Sequence, residues 1–162
     1  MGGEFFMYDR KKAVEYAHKW AYFRNPEYFD FSELGGDCTN FASQVLFSGY
    51  NEMNYKKNYG WYYNNLNDRS PSWTGVNELY KFLVNNQGPG PKAVETSMFG
   101  IAPGDLVQLD FDGDGVFDHT PVIVSVGDFT PDTILVAAHS NDSDFRPLST
   151  YKYNGVRYLH MI

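Results

Sequence analysis

One cysteine and four histidines carry most of the chemistry open to this 162-residue chain. Cys38 follows Gly35-Gly36-Asp37, and Phe41, Ala42, Val45 and Leu46 then recur at helical spacing. Two glycines give a turn, and Asp37 has the side chain of a helix N-cap. That pattern places Cys38 in the first turn of a buried helix, with Gly49 where a C-cap is expected. First-turn amides lack partners within the helix and lie at the positive end of its dipole. A thiol there is expected to titrate below the ~8.5 of free cysteine and to act as a nucleophile. The same amides, the backbone N–H of Cys38 foremost, can receive an oxyanion.

A nucleophilic thiol needs a base. His18 lies in the first helix, points away from its apolar stripe and reads as a solvated or packing histidine; His160 alternates with Leu159 and Met161 near the C-terminus and reads as structural, with a place facing the site as the alternative. His119 begins the strand-like run that ends at Val126, and His139 follows the run Ile134-Leu135-Val136-Ala137-Ala138. If those runs pair antiparallel, both histidines reach the same edge of a sheet. One could then accept the thiol proton while the other orients it. Asn141, two residues beyond His139, is an alternative orienter if the strand continues. A zinc hydrolase built on His119 and His139 is a rival reading, although His-Glu-x-x-His spacing is lacking.

Two further segments bear on chemistry. The run from Asp110 to Asp118 fits the first nine positions of a calcium loop, with Asp110, Asp112, Asp114 and Asp118 as ligands. Its twelfth position is Pro121 instead of a bidentate Glu, and a plain Asp-Gly hairpin turn is the other reading. A calcium ion there would brace the turn that presents His119; no cofactor is required for catalysis. Trp61, Tyr62, Tyr63 and Trp73 crowd a loop rich in Asn. They either cap the core or form one wall of a substrate groove.

The elements that must position these residues fall into two halves. Ala13, Ala17, Trp20 and Ala21 form a helical stripe within residues 9–24, stopped by Pro26. Another helix is expected over residues 74–85, with Val76, Leu79, Tyr80 and Leu83 inward. Residues 50–73 read as a long loop. Strands are expected over 104–110, 118–126, 133–139 and 156–162, separated by Asp-Gly, Gly-Asp and Pro-Asp turns. Helices first and hairpin-linked strands second is an α+β order with an antiparallel sheet.

Size and charge narrow the function. The length suits a single domain over residues 1–162, and 43% hydrophobic content can fill its core. A net charge of −7, with no basic cluster beyond Arg10-Lys11-Lys12, argues against nucleic-acid binding. No run is apolar for long enough to insert in a membrane. Residues 1–8 lack signal-peptide character and read as a remnant of a leader or of cloning. The chain as it stands would be cytoplasmic, and a removed leader would put it at the cell wall or outside the cell. A lone cysteine excludes an internal disulfide.

The segments Asp37-Cys38-Thr39-Asn40-Phe41-Ala42-Ser43-Gln44, Gly104-Asp105-Leu106-Val107, Asp118-His119-Thr120-Pro121-Val122-Ile123-Val124, Ala138-His139-Ser140-Asn141-Asp142 and Tyr158-Leu159-His160 stand in a telling order. In these, and in Ser72-Trp73, the chain resembles the putative amidase domain family of Gram-positive bacteria, related to NlpC-type and CHAP-type cell-wall cysteine peptidases. The resemblance runs from about Tyr8 to the end. It implies a papain-like fold and a cysteine amidase or peptidase, with Cys38 attacking, His119 taking its proton and His139 or Asn141 orienting His119. The papain pattern also has a Gln upstream of the cysteine as oxyanion donor; here Ser32 and Glu33 occupy that region. Peptidoglycan or a related peptide is the implied substrate and partner, and the protein is expected to be a monomer. A non-catalytic glycan- or peptide-binding module on the same fold is the alternative.

Overall fold

The computed structural model describes residues 7–162; most of the N-terminal stretch read as a remnant lies outside them. Helix α1, Arg10–Trp20, starts at Asp9, whose carboxylate accepts the Lys12 N–H, and buries Ala13 and Ala17. Helix α2, Cys38–Tyr50, packs beside it and is buried along nearly its whole length. The residue that ends α2 is Asn51, not Gly49. Asn51 takes φ 54° and returns its N–H to the Phe47 carbonyl. Gly49 instead makes room for Tyr8: a Cβ there would lie 2.4 Å from the tyrosine ring.

The stretch read as one loop contains a small hairpin, β1 (Tyr63–Asn65) with β2 (Asp68–Arg69). The helix expected over 74–85 is α4, Val76–Asn85, and Gly75 sets it off from a short helix α3, Pro71–Thr74, that lies mostly within the stretch read as loop. In α4 Leu79, Phe82 and Leu83 are buried, whereas Val76 and Tyr80 are half-buried at the margin.

The second half is a six-stranded antiparallel sheet formed by β3 (Ala93–Thr96), β4 (Leu106–Asp110), β5 (Val122–Ser125), β6 (Leu135–Ala138), β7 (Ser143–Pro147) and β8 (Gly155–Met161). Their order across the sheet is β3-β8-β4-β5-β6-β7. The α+β class and antiparallel pairing read from the sequence hold. Two strands, β3 and β7, were not legible there. Each carries polar or charged residues and buries little.

The sheet separates two cores. Leu106, Val122, Val124 and Ala137 pack toward α1, α2 and α4. Val107, Leu109, Ile123 and Val136 belong to a second cluster with Ile134, Leu148 and Tyr158. The alternation follows from the period of two along a strand. At the helix side Asp105 is a buried hub. Its carboxylate accepts from Arg10, His160 and the Met161 and Ala102 amides, tying α1 to β8. His160 is thereby a structural residue, as read. His18 likewise pairs with Asp144, at 2.8 Å.

Candidate active site

Cys38 is the first residue of α2. The first bond into the helix runs from Phe41 N–H to the Asp37 carbonyl, at 3.0 Å. The amides of Cys38, Thr39 and Asn40 therefore have no partner within the helix. The thiol lies 3.7 Å from the Thr39 hydroxyl, which in turn meets the Thr120 hydroxyl at 3.1 Å. Burial pushes the Cys38 thiol up, and the backbone N–H groups of Thr120 and Thr39 only partly offset this by favouring the thiolate. This corrects the expected depression. A helix tip offers donors, but this one is 8% exposed, and desolvation of the anion prevails.

The Thr120 amide belongs to the peptide link that follows His119, so the sulfur sits beside the backbone of the residue read as its base. His119 is fixed through its backbone, bridging Leu109 of β4 with 3.0 and 3.3 Å hydrogen bonds. Its ring is 4% exposed. Burial, with the nearby charge of Arg146, pulls His119 down to about 4. The imidazole is therefore neutral at ordinary pH. Its Nε2 is buried and has no hydrogen-bond partner among the described residues.

His139 does not orient His119. Its Nδ1 meets the Asp37 carboxylate at 2.5 Å, its Nε2 the Trp20 carbonyl at 2.8 Å, and its ring stacks on Phe41 at 4.1 Å. The two histidines share a sheet edge but not a face. Val122 pairs with Ala137, so continued register sets Thr120, not His119, opposite His139. Successive residues then turn His119 toward the second core, on the side of its partner Leu109. The same parity separates the two histidines as zinc ligands. Asn141 does not substitute. β6 stops at Ala138, and Ser140 and Asn141 take φ 64° and 69°, so the strand does not continue and Asn141 is exposed.

Asp37 also departs from its expected role. Its carboxylate makes no cap bond to the helix. It accepts instead from the Phe31 amide (2.8 Å), Asn40 Nδ2 (2.9 Å) and His139. This clamp, fully buried immediately before Cys38, locks the loop that aims the helix tip. Ser32 and Glu33, in place of the upstream Gln, do not supply a donor: Ser32 bonds Asp30 and Arg24.

The aromatic residues read as a groove wall divide. Trp61 and Trp73 are fully buried and Tyr63 nearly so. Their polar atoms are used internally: Trp61 Nε1 donates to Ser43, Trp73 Nε1 to Asn40, and the Tyr63 hydroxyl accepts from the Phe29 amide. Tyr62 is half-buried. These rings cap the core. The broad surface groove, about 1060 Å³, is lined by other residues, among them Tyr55, Tyr59, Pro71, Phe82 and Asn86, and it excludes Cys38 and His119.

In the acidic turn, ligand atoms of Asp110, Asp112 and Asp118 lie within 4.8 Å of one another; Asp114 is not in that group. The turn satisfies itself. Asp110 accepts from the Gly113 and Gly115 amides, Asp114 from Val116, and Asp118 from Phe111. The Asp110, Asp112 and Asp118 carboxylates are the part of the expected ligand set that converges, and Pro121 offers no side-chain oxygen at the twelfth position.

A helix-tip thiol and a buried neutral imidazole fit acyl transfer, and the family comparison points the same way. Residues 7–162 match the family model described as "Putative amidase domain". The chain belongs to this amidase-domain family. Over 126 residues the domain is 40% identical to the uncharacterized protein YhbB of Bacillus subtilis (strain 168), covering 76% of this chain and 39% of that protein. The amidase domain thus spans well under half of the relative's length. No solved structure matches it. Among the described residues, no helix of the domain is long and apolar enough to cross a membrane.

Proposed function

We propose that this amidase domain is a cysteine hydrolase on a papain-like fold, akin to NlpC-type and CHAP-type peptidases. Cys38 is the nucleophile and His119 its base, and the bond cut is an amide of peptidoglycan or a related peptide. The supporting observation is the meeting of the α2 tip with the His119–Thr120 peptide link. The thiol and imidazole are both neutral at rest. The proton therefore moves as the sulfur attacks, not in a preformed ion pair. Cys38 Sγ bonds the carbonyl carbon while its proton passes to His119. The carbonyl oxygen takes the negative charge and accepts from the free first-turn amides of α2, that of Cys38 among them. Collapse breaks the C–N bond, and His119 returns the proton to the leaving amine. Water, deprotonated by His119, then cleaves the thioester and frees the thiol.

Wild type, Cys38→Ser and His119→Ala are to be incubated with muropeptides and simple amide substrates, with chromatographic detection of products. Product from wild type alone is the expected result. Variants as fast as wild type would sink the assignment of Cys38 and His119. Capture of cell wall without any product would favour the non-catalytic binding module.

A further inference from the structure

Two buried polar atoms on adjoining rings lack partners among the described residues: His119 Nε2 and the Tyr151 hydroxyl. An unpaired buried donor or acceptor costs roughly 1–3 kcal/mol, and such orphans in a native site call for an explanation. These two are neighbours. The Tyr151 and His119 rings have centroids 5.5 Å apart, inclined at 53°. They are also complementary, since an imidazole N–H can donate to a hydroxyl oxygen.

Tyr151 is held for this position. It follows the single 3-10 turn Leu148–Thr150 and returns its N–H to the Leu148 carbonyl at 3.2 Å. The Arg146 guanidinium lies 3.6 Å over its ring and is itself fixed by a 2.7 Å bond from Nε to the Thr150 hydroxyl. Burial pushes the phenol up, the Arg146 guanidinium opposes part of this, and Cys38 adds a smaller upward push. The hydroxyl thus stays protonated on a ring packed against His119.

We propose that Tyr151 is the positioning residue of His119, its hydroxyl pairing with imidazole Nε2 in the working site. The proposal rests on the hydrolase reading and fills the place that neither His139 nor Asn141 can take. An Nε2–H donated to the phenol oxygen fixes one tautomer and leaves Nδ1 with the free lone pair for the thiol proton. Arg146 acts on His119 through its charge and Tyr151 packs against its ring, while the carboxylate of the preceding Asp118 is turned to the Phe111 amide. Arg146 opposes the imidazolium, which favours return of the proton to the leaving group.

The test is Tyr151→Phe in the full chain, which keeps the ring and removes only the hydroxyl. Imidazole nitrogen NMR on 15N-labelled protein reads the His119 tautomer, and steady-state kinetics reads turnover. Wild type should show a single tautomer protonated at Nε2. The variant should show a mixture, with kcat lower by on the order of 100-fold and KM within about twofold. An unchanged imidazole spectrum overturns the proposal whatever kcat does; a loss of kcat alone would make the hydroxyl an oxyanion donor instead. Unchanged turnover with a mixed tautomer overturns it too. If wild type cleaves no amide, the hydrolase reading fails, while the NMR comparison still decides whether Tyr151 holds His119.

Discussion

Burial keeps the His119 imidazole neutral at ordinary pH, which the base role proposed for it requires. Its value falls from 6.5 to about 4, chiefly by desolvation and secondarily through Arg146. The unfolded chain then binds more protons than the folded one between pH 6.5 and 4. Stability contributed here is complete above 6.5 and lost as pH falls through about 4. At 1.36 kcal/mol per unit the loss is about 3 kcal/mol. Urea denaturation across that window should show the decline, and His119→Gln should flatten it. The acid limb of kcat/KM should lie nearer 4 than 6.5 for the same reason. Cys38 moves the opposite way. Its rate of reaction with iodoacetamide should rise at a higher pH than that of free cysteine, because burial outweighs the helix amides. A midpoint below that of free cysteine would mean that the amides prevail.

At the scale of elements, the approach to the helix tip depends on the Asp37 clamp. Asp37→Ala removes the acceptor for the Phe31 amide, Asn40 and His139 at once. It should cost roughly 3 kcal/mol by urea denaturation, since the orphaned partners are buried. A cost below about 1 kcal/mol would show that the loop holds without it. The acidic turn is expected to behave independently of metal. With Asp110 engaged by Gly113 and Gly115, EDTA should leave the melting temperature unchanged, and added calcium should not raise it. Much of this architecture was legible from periodicity: α1, α2, four of the six sheet strands and the antiparallel order. The separation of His119 from His139 was not read, because a shared edge was inferred without following which face each residue takes. The register of Val122 with Ala137 supplies that. β3 and β7 escaped notice because strands that bury little show no apolar alternation. Tyr151 left no signal at all. Its importance comes from a 5.5 Å approach between residues 32 apart in the chain, which no local pattern encodes.

For the molecule as a whole, the question is what the dense aromatic content does. Trp73 is the centre of one cluster: its ring lies 4.5 Å from Trp61 and 5.9 Å from both Tyr28 and Tyr63. Its Nε1 donates to Asn40 on α2, in the same first turn as Cys38, so the cluster joins the α3 region to the helix that carries the thiol. Tyr59 stands apart, 77% exposed on the rim of the large groove. If glycan is gripped by the buried rings, Trp73→Ala should lose wall binding and keep its fold. If the rings are core, it should lose stability first, by roughly 3–5 kcal/mol for a large aromatic truncated in a packed interior. Full burial of both tryptophans favours the second outcome. Thermal melts and cell-wall sedimentation on Trp73→Ala and Tyr59→Ala separate the two: the former should melt far lower, the latter near wild type. A folded Trp73→Ala protein that no longer sediments with wall would return that ring to the substrate side.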